Sequence, residues 1–239
     1  MRLHRFIGEY DLLKKEIEIT NPENVKQIKN ILRLKKGDNL ILSNGKGKQA
    51  QVSIISLSKE KIICSVQKVE EIKEIKRKVN LFLAILKKEN FETAVQKAVE
   101  CGVTKITPII TERTIKTGLN IERLNKIMLE ASEQSGRGCV PILSPVLNFK
   151  DALTYGGIAS VGGDDSGREK IIFDPTGNLY TPNKEVENIS IFVGPEGGFT
   201  PKEIDLAKKL GYAVCSLGSL VLRAETAAII ATYRTVKGN

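Results

Sequence analysis

Hydrophobic positions change their spacing at about residue 78. Before it, apolar and β-branched residues come in short runs: Leu40-Ile41-Leu42, Ala50-Gln51-Val52-Ser53-Ile54-Ile55 and Lys61-Ile62-Ile63-Cys64-Ser65-Val66. Turn chemistry separates them, at Gly37-Asp38, Asn44-Gly45-Lys46-Gly47 and Ser58-Lys59-Glu60. One amphipathic helix is predicted from Asn24 to Leu32. Short strands with close turns predict a small β-barrel. The charged run Glu70 to Lys78 reads as a linker or an exposed strand edge.

After residue 78 the runs lengthen and alternate with helical periodicity. Val79 to Leu86 is almost continuously apolar, as in a strand buried on both faces. A helix is predicted from about Asn90 to Glu100 with Gly102 as its stop, then a strand from Lys105 to Ile110, then a helix from Ile121 to Gln134 closed by Gly136. Further strands are expected at Ile171 to Phe173, Ile189 to Val193 and Tyr212 to Leu217, and a last helix at Ala224 to Arg234. Thr200-Pro201-Lys202-Glu203 carries three agreeing helix-start signals: a capping hydroxyl, a proline suited to the first turn, and a glutamate that completes a capping box. Strand–helix alternation of this kind predicts a parallel α/β sheet.

Charge sharpens the division. Residues 1–78 hold 18 Lys+Arg against 10 Asp+Glu, whereas the rest of the chain holds 19 against 18. A basic N-terminal part joined to a near-neutral remainder suggests a polyanion-binding module beside a chemical one, although a lysine-biased solvated surface has the same composition. His4 is the only histidine, so neither a histidine-based metal site nor a Ser-His-Asp triad in the C-terminal part is expected; no metal is predicted. The four cysteines form no CxxC and read as reduced thiols of a cytoplasmic protein. No apolar window is long enough for a membrane span, and the charged start is unlike a signal peptide.

Three segments can carry chemistry. Gly194-Pro195-Glu196-Gly197-Gly198-Phe199-Thr200 lies between a buried strand and a capped helix, where open α/β sheets bind ligands. It is neither GxGxxG nor a P-loop, and a tight turn could need the same glycines for geometry alone. Leu217-Gly218-Ser219-Leu220-Val221-Leu222-Arg223-Ala224-Glu225-Thr226-Ala227 again joins a strand end to a helix, with Glu225 at the positive end of the helix dipole. Glu130-Ala131-Ser132-Glu133-Gln134-Ser135-Gly136-Arg137 closes a helix; by itself it is an ordinary helix end.

Taken together and in order, these segments resemble the SPOUT-class family that methylates N3 of a uridine in small-subunit ribosomal RNA. The family loop GPEGGF-T/S-xxE is matched throughout positions 194–203. LGxRILRxETA is matched at Leu217, Gly218, Leu222, Arg223, Glu225, Thr226 and Ala227, and EAxEQSxR at Glu130, Ala131, Glu133, Gln134, Ser135 and Arg137. Shorter matches are Gln96-Lys97-Ala98 with Gly102-Val103, Glu112-Arg113, His4-Arg5-Phe6, and Leu32-Arg33-Leu34 with Gly37-Asp38. Two positions depart: Leu220 stands where the family usually has arginine, and Cys101 where it usually has leucine.

The resemblance implies a trefoil-knotted parallel-sheet α/β methyltransferase domain over residues 73–239, preceded by a PUA-like β-barrel over residues 1–72 that binds RNA. It implies S-adenosylmethionine as cofactor, held by Asp174 and Pro175, by Gly194, Pro195, Glu196, Gly197 and Gly198, and by Leu217, Gly218, Leu220 and Leu222. It implies methyl transfer to uridine N3 in 16S ribosomal RNA, with Arg113, Arg137 and Arg223 on the RNA or the uracil oxygens and Glu196 or Glu225 orienting or deprotonating the base. Arg2, His4, Arg5, Arg33, Lys35 and Gln134 are the RNA-binding candidates. The partners implied are ribosomal RNA, within the small subunit or its precursor, and a second copy of the chain in a homodimer. Alternatives are another RNA nucleotide as target, a non-catalytic RNA-binding ribosome-assembly protein, and a nucleotide-binding Rossmann enzyme, the last disfavoured by the absence of GxGxxG.

Overall fold

The computed structural model describes residues 3–73, 75–115, 117–157 and 168–238. The chain divides into two compact units, residues 1–74 with 132–140, and residues 75–131 with 141–239.

In the first unit, strands β1 (Arg5–Ile7), β2 (Glu16–Ile19), β3 (Asn39–Ser43), β4 (Lys48–Leu57) and β5 (Ile62–Glu71) form one sheet in the order β1-β3-β4-β5-β2. Alternation drives its burial. Leu40 and Leu42, Ala50, Val52 and Ile54, and Ile62 and Cys64 share the inner face with Phe6, Ile17 and Ile19. The expected helix is split: α1 (Pro22–Lys26) starts at Asn21, whose side chain accepts from the Glu23 and Asn24 amides, and continues as a π-helical turn over Gln27–Ile31. Val25 and Ile28 seat it on the sheet core. The residues 132–140 join this unit through local bonds. Ile7 N donates to Glu133 Oε1 (2.7 Å), Gly47 N to Gly138 O (3.0 Å), and Lys46 bridges Cys139. Gly138 has no room for a side chain, because a Cβ there would lie 2.8 Å from Ile72.

The second unit is built on β6 (Lys78–Ala84), β7 (Lys105–Ile110), β8 (Ile142–Leu143), β9 (Leu147–Asn148), β10 (Arg168–Leu179), β11 (Asn188–Val193) and β12 (Ala213–Ser216), ordered β12-β10-β11-β6-β7-β8 and parallel throughout, with β9 also pairing β7. The helices are α2 (Lys88–Cys101), α3 (Ile121–Ser135), which ends in the first unit, α4 (Phe149–Gly157), α5 (Pro201–Lys209) and α6 (Ala224–Lys237). Phe82, Ile172 and Phe192 point to one face of the sheet and meet Phe149, Leu153 and Ala152 of α4 and Ile204 and Ala207 of α5. Phe82 and Phe192 stack with centroids 4.2 Å apart, and Tyr212 meets Phe192 edge-on at 5.2 Å. On the other side α2 and α6 pack together, using Ala94, Ala98, Ala228 and Ala231 as small buried residues. The chain therefore leaves edge strand β12 and returns to lie against β6, β11 and α2, as the SPOUT topology requires.

Two expectations change. The charged run at residues 70–78 holds the exposed end of β5 and the boundary between the two units, as a linker or strand edge would, but Arg77 in it is not solvated. β5 runs through Glu71, β6 begins at Lys78, and Arg77 between them is buried because its guanidinium donates to the carbonyls of Thr235 and Asn183. The strand expected to end at Phe173 continues to Leu179, with an excursion inside β10: Phe173 and Asn178 both pair with Cys215 and residues 174–177 bulge out between them. Gly177 closes that bulge against β12, where a Cβ would lie 2.5 Å from both the carbon and the oxygen of the Val214 carbonyl. Backbone cannot give way as a side-chain end can. Gly177→Ala is therefore expected to lower stability by about 1–3 kcal/mol. Gly118→Ala, where a Cβ meets nothing within 4 Å, should stay within about 0.5 kcal/mol. Urea unfolding of the two variants side by side checks this; equal midpoints would be the contrary result.

Candidate active site

The carboxyl ends of β10, β11 and β12 lie side by side, and the segments that follow them enclose one cavity of about 700 Å3. That volume suits a cofactor-sized ligand. Two walls come from segments singled out above, Gly194 to Phe199 after β11 and Leu217 to Ala227 around the start of α6; a third is the β10 bulge with Asp174, Pro175 and Thr176, while the segment 130–137 is not part of the lining. A fourth wall, formed by Lys87 and Asn90 at the start of α2 and by Arg113 after β7, completes it.

Each wall has a local cause. In the bulge, Asp174 Oδ1 accepts from Thr176 N (2.9 Å) and Thr176 Oγ1 (2.6 Å), a self-contained turn. After β11, Gly198 takes φ +68 and its amide donates to Pro195 O at 2.8 Å. The glycine at 194 is explained by packing, since a Cβ there would meet the Phe199 ring at 3.1 Å, and that ring anchors the loop in the aromatic core. Before α6, Gly218 takes φ +143, and Leu220 and Val221 stand 80% and 83% exposed at the cavity wall. Arg223 is the N-cap of α6, and its guanidinium, which only donates, makes no capping bond there.

The eleven cofactor candidates all line this cavity, together with Arg113, Arg223 and Glu225. Glu196 lines it too, and its Oε1 accepts from Lys87 N at 3.1 Å, linking the glycine loop to the start of α2. Arg113 Nη1 donates to Gly197 O at 2.7 Å. The fit to S-adenosylmethionine rests on the mixture of surfaces: Phe173, Val193, Leu217 and Leu222 offer apolar contact to a purine, while the glycine-bearing turns leave backbone groups open to polar edges.

Arg137 and Gln134 lie instead in the segment 132–140 of the first unit. Burial lowers the Arg137 guanidinium to about 10, which leaves it a cation at neutral pH. In the same unit, Arg5 Nη2 donates to Gln49 Oε1 at 2.7 Å, His4 and Lys35 are exposed, and Arg33 holds a left-handed φ of 54 where the chain leaves the π-helical turn. Arg2 lies outside the described residues. Lys87 and Asn90 were absent from the sequence-derived candidates. The signal was available: they follow the end of β6, a parallel strand to which the strand-end rule applies as it does to β11.

Comparison with known proteins agrees with this geometry. A family model described as an RNA methyltransferase domain matches residues 73–235, and one described as an RNA methyltransferase PUA domain matches residues 19–67. The ribosomal RNA small subunit methyltransferase E of Rickettsia conorii is 35% identical over 221 residues, covering 90% of this chain and 87% of that one. The Bacillus subtilis protein of the same name is 30% identical over 237 residues, covering 92% of each. Among solved structures, a ribosomal RNA small subunit methyltransferase E from Neisseria gonorrhoeae bound to S-adenosyl methionine superposes with a TM-score of 0.84 at 29% identity, covering 97% of this chain and 95% of that one. A putative methyltransferase from Legionella pneumophila in complex with the same cofactor gives 0.81 at 31% identity, covering 97% and 96%. Domain match, full-length relatives and cavity converge, and the chain belongs to the family of ribosomal RNA small subunit methyltransferase E.

Proposed function

We propose that this protein transfers a methyl group from S-adenosylmethionine to N3 of a uridine in 16S ribosomal RNA. The observation that carries the reading is the cavity at the ends of β10, β11 and β12, which brings together the β10 bulge, the glycine loop 194–199 and the segment 217–227. When bound there, S-adenosylmethionine supplies an electrophilic methyl group on a sulfonium.

The chain's own work is to hold the uridine and ease the loss of its N3 proton. The resulting anion is delocalised onto the uracil oxygens, so fixed cations near them lower its energy. Arg113 and Arg223 line the cavity and are assigned this role, and Arg137 is assigned to RNA contact. Glu196 is held by the Lys87 amide, which fits orientation better than proton transfer. Glu225, in the first turn of α6, is the remaining carboxylate among the candidates for the base. The sheet unit at the N-terminus is assigned to gripping RNA phosphates through its excess of Lys and Arg, with His4, Arg5, Arg33, Lys35 and Gln134 as contacts and Arg2 beyond the described residues. A homodimer acting in the cytoplasm on the small subunit or its precursor completes the proposal. Among the described residues no helix is long and apolar enough to cross a membrane.

Mass spectrometry of nucleosides from 16S ribosomal RNA, with and without the gene, tests the reaction. Loss of N3-methyluridine on deletion is expected; an unchanged amount, or loss of a different nucleoside, overturns the assignment in favour of another target. Arg223→Ala is expected to cut turnover on small subunits by roughly a hundredfold, in the range seen when one transition-state donor is removed; full activity would remove Arg223 from the mechanism. RNA affinity of the whole chain should fall at least about tenfold between 50 and 200 mM salt, because phosphate contacts release counterions. A flat salt response would count against a phosphate-gripping N-terminal unit.

A further inference from the structure

The Arg113 side chain is exposed, yet the segment that carries it is bound firmly. Thr111 N donates to Thr114 Oγ1 (3.0 Å), Thr114 N donates to Thr111 O (3.1 Å), and the two hydroxyls lie 3.0 Å apart. This closed turn is linked to the glycine loop through one carboxylate. Glu203 Oε1 accepts from Glu112 N at 2.9 Å, while Glu203 Oε2 accepts from Thr200 N at 2.8 Å and from Thr200 Oγ1 at 3.2 Å. Thr200 Oγ1 also lies 3.1 Å from Glu112 Oε2. Glu203 is buried, at 8% exposure.

A capping box needs only one of these bonds, the one from the carboxylate to the N-cap amide. The second oxygen, spent on the neighbouring turn, does nothing for α5. It fixes the residue next to Arg113, whose stem then lies along Gly197 and whose Nη1 reaches Gly197 O. We infer that Glu203 is a positioning residue for methyl transfer: it latches the turn after β7 to the glycine loop and so aims Arg113 into the cavity. This rests on the assignment of Arg113 to the uracil oxygens. A carboxylate is required because both oxygens face backbone N–H donors; an amide would turn its NH2 toward one of them.

The test compares four single variants of the full chain, and the Glu203→Gln/Arg113→Ala double variant, on small ribosomal subunits. Glu203→Gln keeps one acceptor and loses the bridge. Glu203→Asp keeps the charge and the ability to cap but is one methylene short of spanning both amides. Thr200→Val damages the cap of α5 and removes the hydroxyl beside Glu112, yet leaves the Glu203 carboxylate facing both amides. Arg113→Ala removes the group being aimed. The expected result is a kcat on the order of tenfold to a hundredfold lower for the two Glu203 variants, as for a small misplacement of a catalytic group. S-adenosylmethionine affinity by calorimetry should stay within about twofold in these variants, since a misplacement at the reacting end need not weaken ground-state binding. Thr200→Val should lose stability without a matching loss of kcat, and Glu203→Gln should add little to Arg113→Ala. If kcat follows the urea midpoint alike in the Thr200 and Glu203 variants, Glu203 only caps its helix and the inference fails. If Arg113→Ala is crippled but Glu203→Gln multiplies that loss in full, Glu203 acts elsewhere and the inference fails while the Arg113 assignment stands. If Arg113→Ala is fully active, the Arg113 assignment fails and takes the inference with it.

Discussion

The approach of β10 to β12 at Gly177 is the constraint on which the cavity depends. β10 pairs with β11 on one side and β12 on the other, so it must stay a strand along its length, yet it also supplies a cavity wall. The conflict is resolved by giving one partner, Cys215, to both Phe173 and Asn178 and pushing the four residues between them out of the ladder. Such an excursion is compatible with close pairing only if the residue that returns to the strand has no side chain, because the Val214 carbonyl occupies the space. A longer loop would serve the ligand equally well but would release β12 from β10. With β12 would go the geometry of the turn before α6, which forms the opposite wall.

The glycine loop is fixed by a different means. β11 ends at Val193, and the loop beyond it is held at several separate points. Phe199 pins the far end into the aromatic layer, with the bare face of Gly194 beneath it. Glu203 and Arg113 then attach it to the turn after β7, and Glu196 attaches it to the start of α2. Groups that sequence inspection assigns to chemistry are thus partly occupied in holding loops against one another. Preorganisation requires this, since a loop free to move would have to be ordered at the moment of reaction.

The sequence is most legible where one physical cause acts alone. The apolar run at Val79 and the two-residue alternation at Ala50-Val52-Ile54 specify their strands, and Thr200-Pro201-Lys202-Glu203 specifies the start of α5, where both reciprocal capping bonds form. It is least legible where distant partners decide. Arg77 sits in a charged run and reads as solvated, but two carbonyls more than 100 residues away satisfy it in the interior. Helix α4 was missed because its pattern is short and its apolar face, Phe149, Ala152 and Leu153, has meaning only against Phe192. The helix Ile121–Ser135 is correctly periodic, but nothing in its periodicity announces that its last turn belongs with the N-terminal sheet, because Glu133 is claimed by the amide of Ile7. The site shows the same division: the glycine loop and the segment before α6 were found from strand ends and resemblance, whereas Lys87 and Asn90 carry no motif and follow only from applying the strand-end rule to β6.

The distribution of charge bears on how a uridine proton leaves without a histidine at hand. The only histidine, His4, lies in the N-terminal unit, and of the two carboxylates proposed for the base, Glu196 is engaged by a backbone amide. The cations are better placed. Lys87, Arg113 and Arg223 all line the cavity, and Arg223 stands at the N-terminus of α6, whose dipole adds to its positive field. A field of that sign stabilises the deprotonated uridine, and it does so whether Glu225 or solvent takes the proton. In the proposed reaction, catalysis depends on how well the arginines are aimed more than on the strength of any one base. Leu220, where the resembled pattern has arginine, presents an exposed apolar side chain at the cavity wall, so among the described lining residues the positive charge comes from Lys87, Arg113 and Arg223.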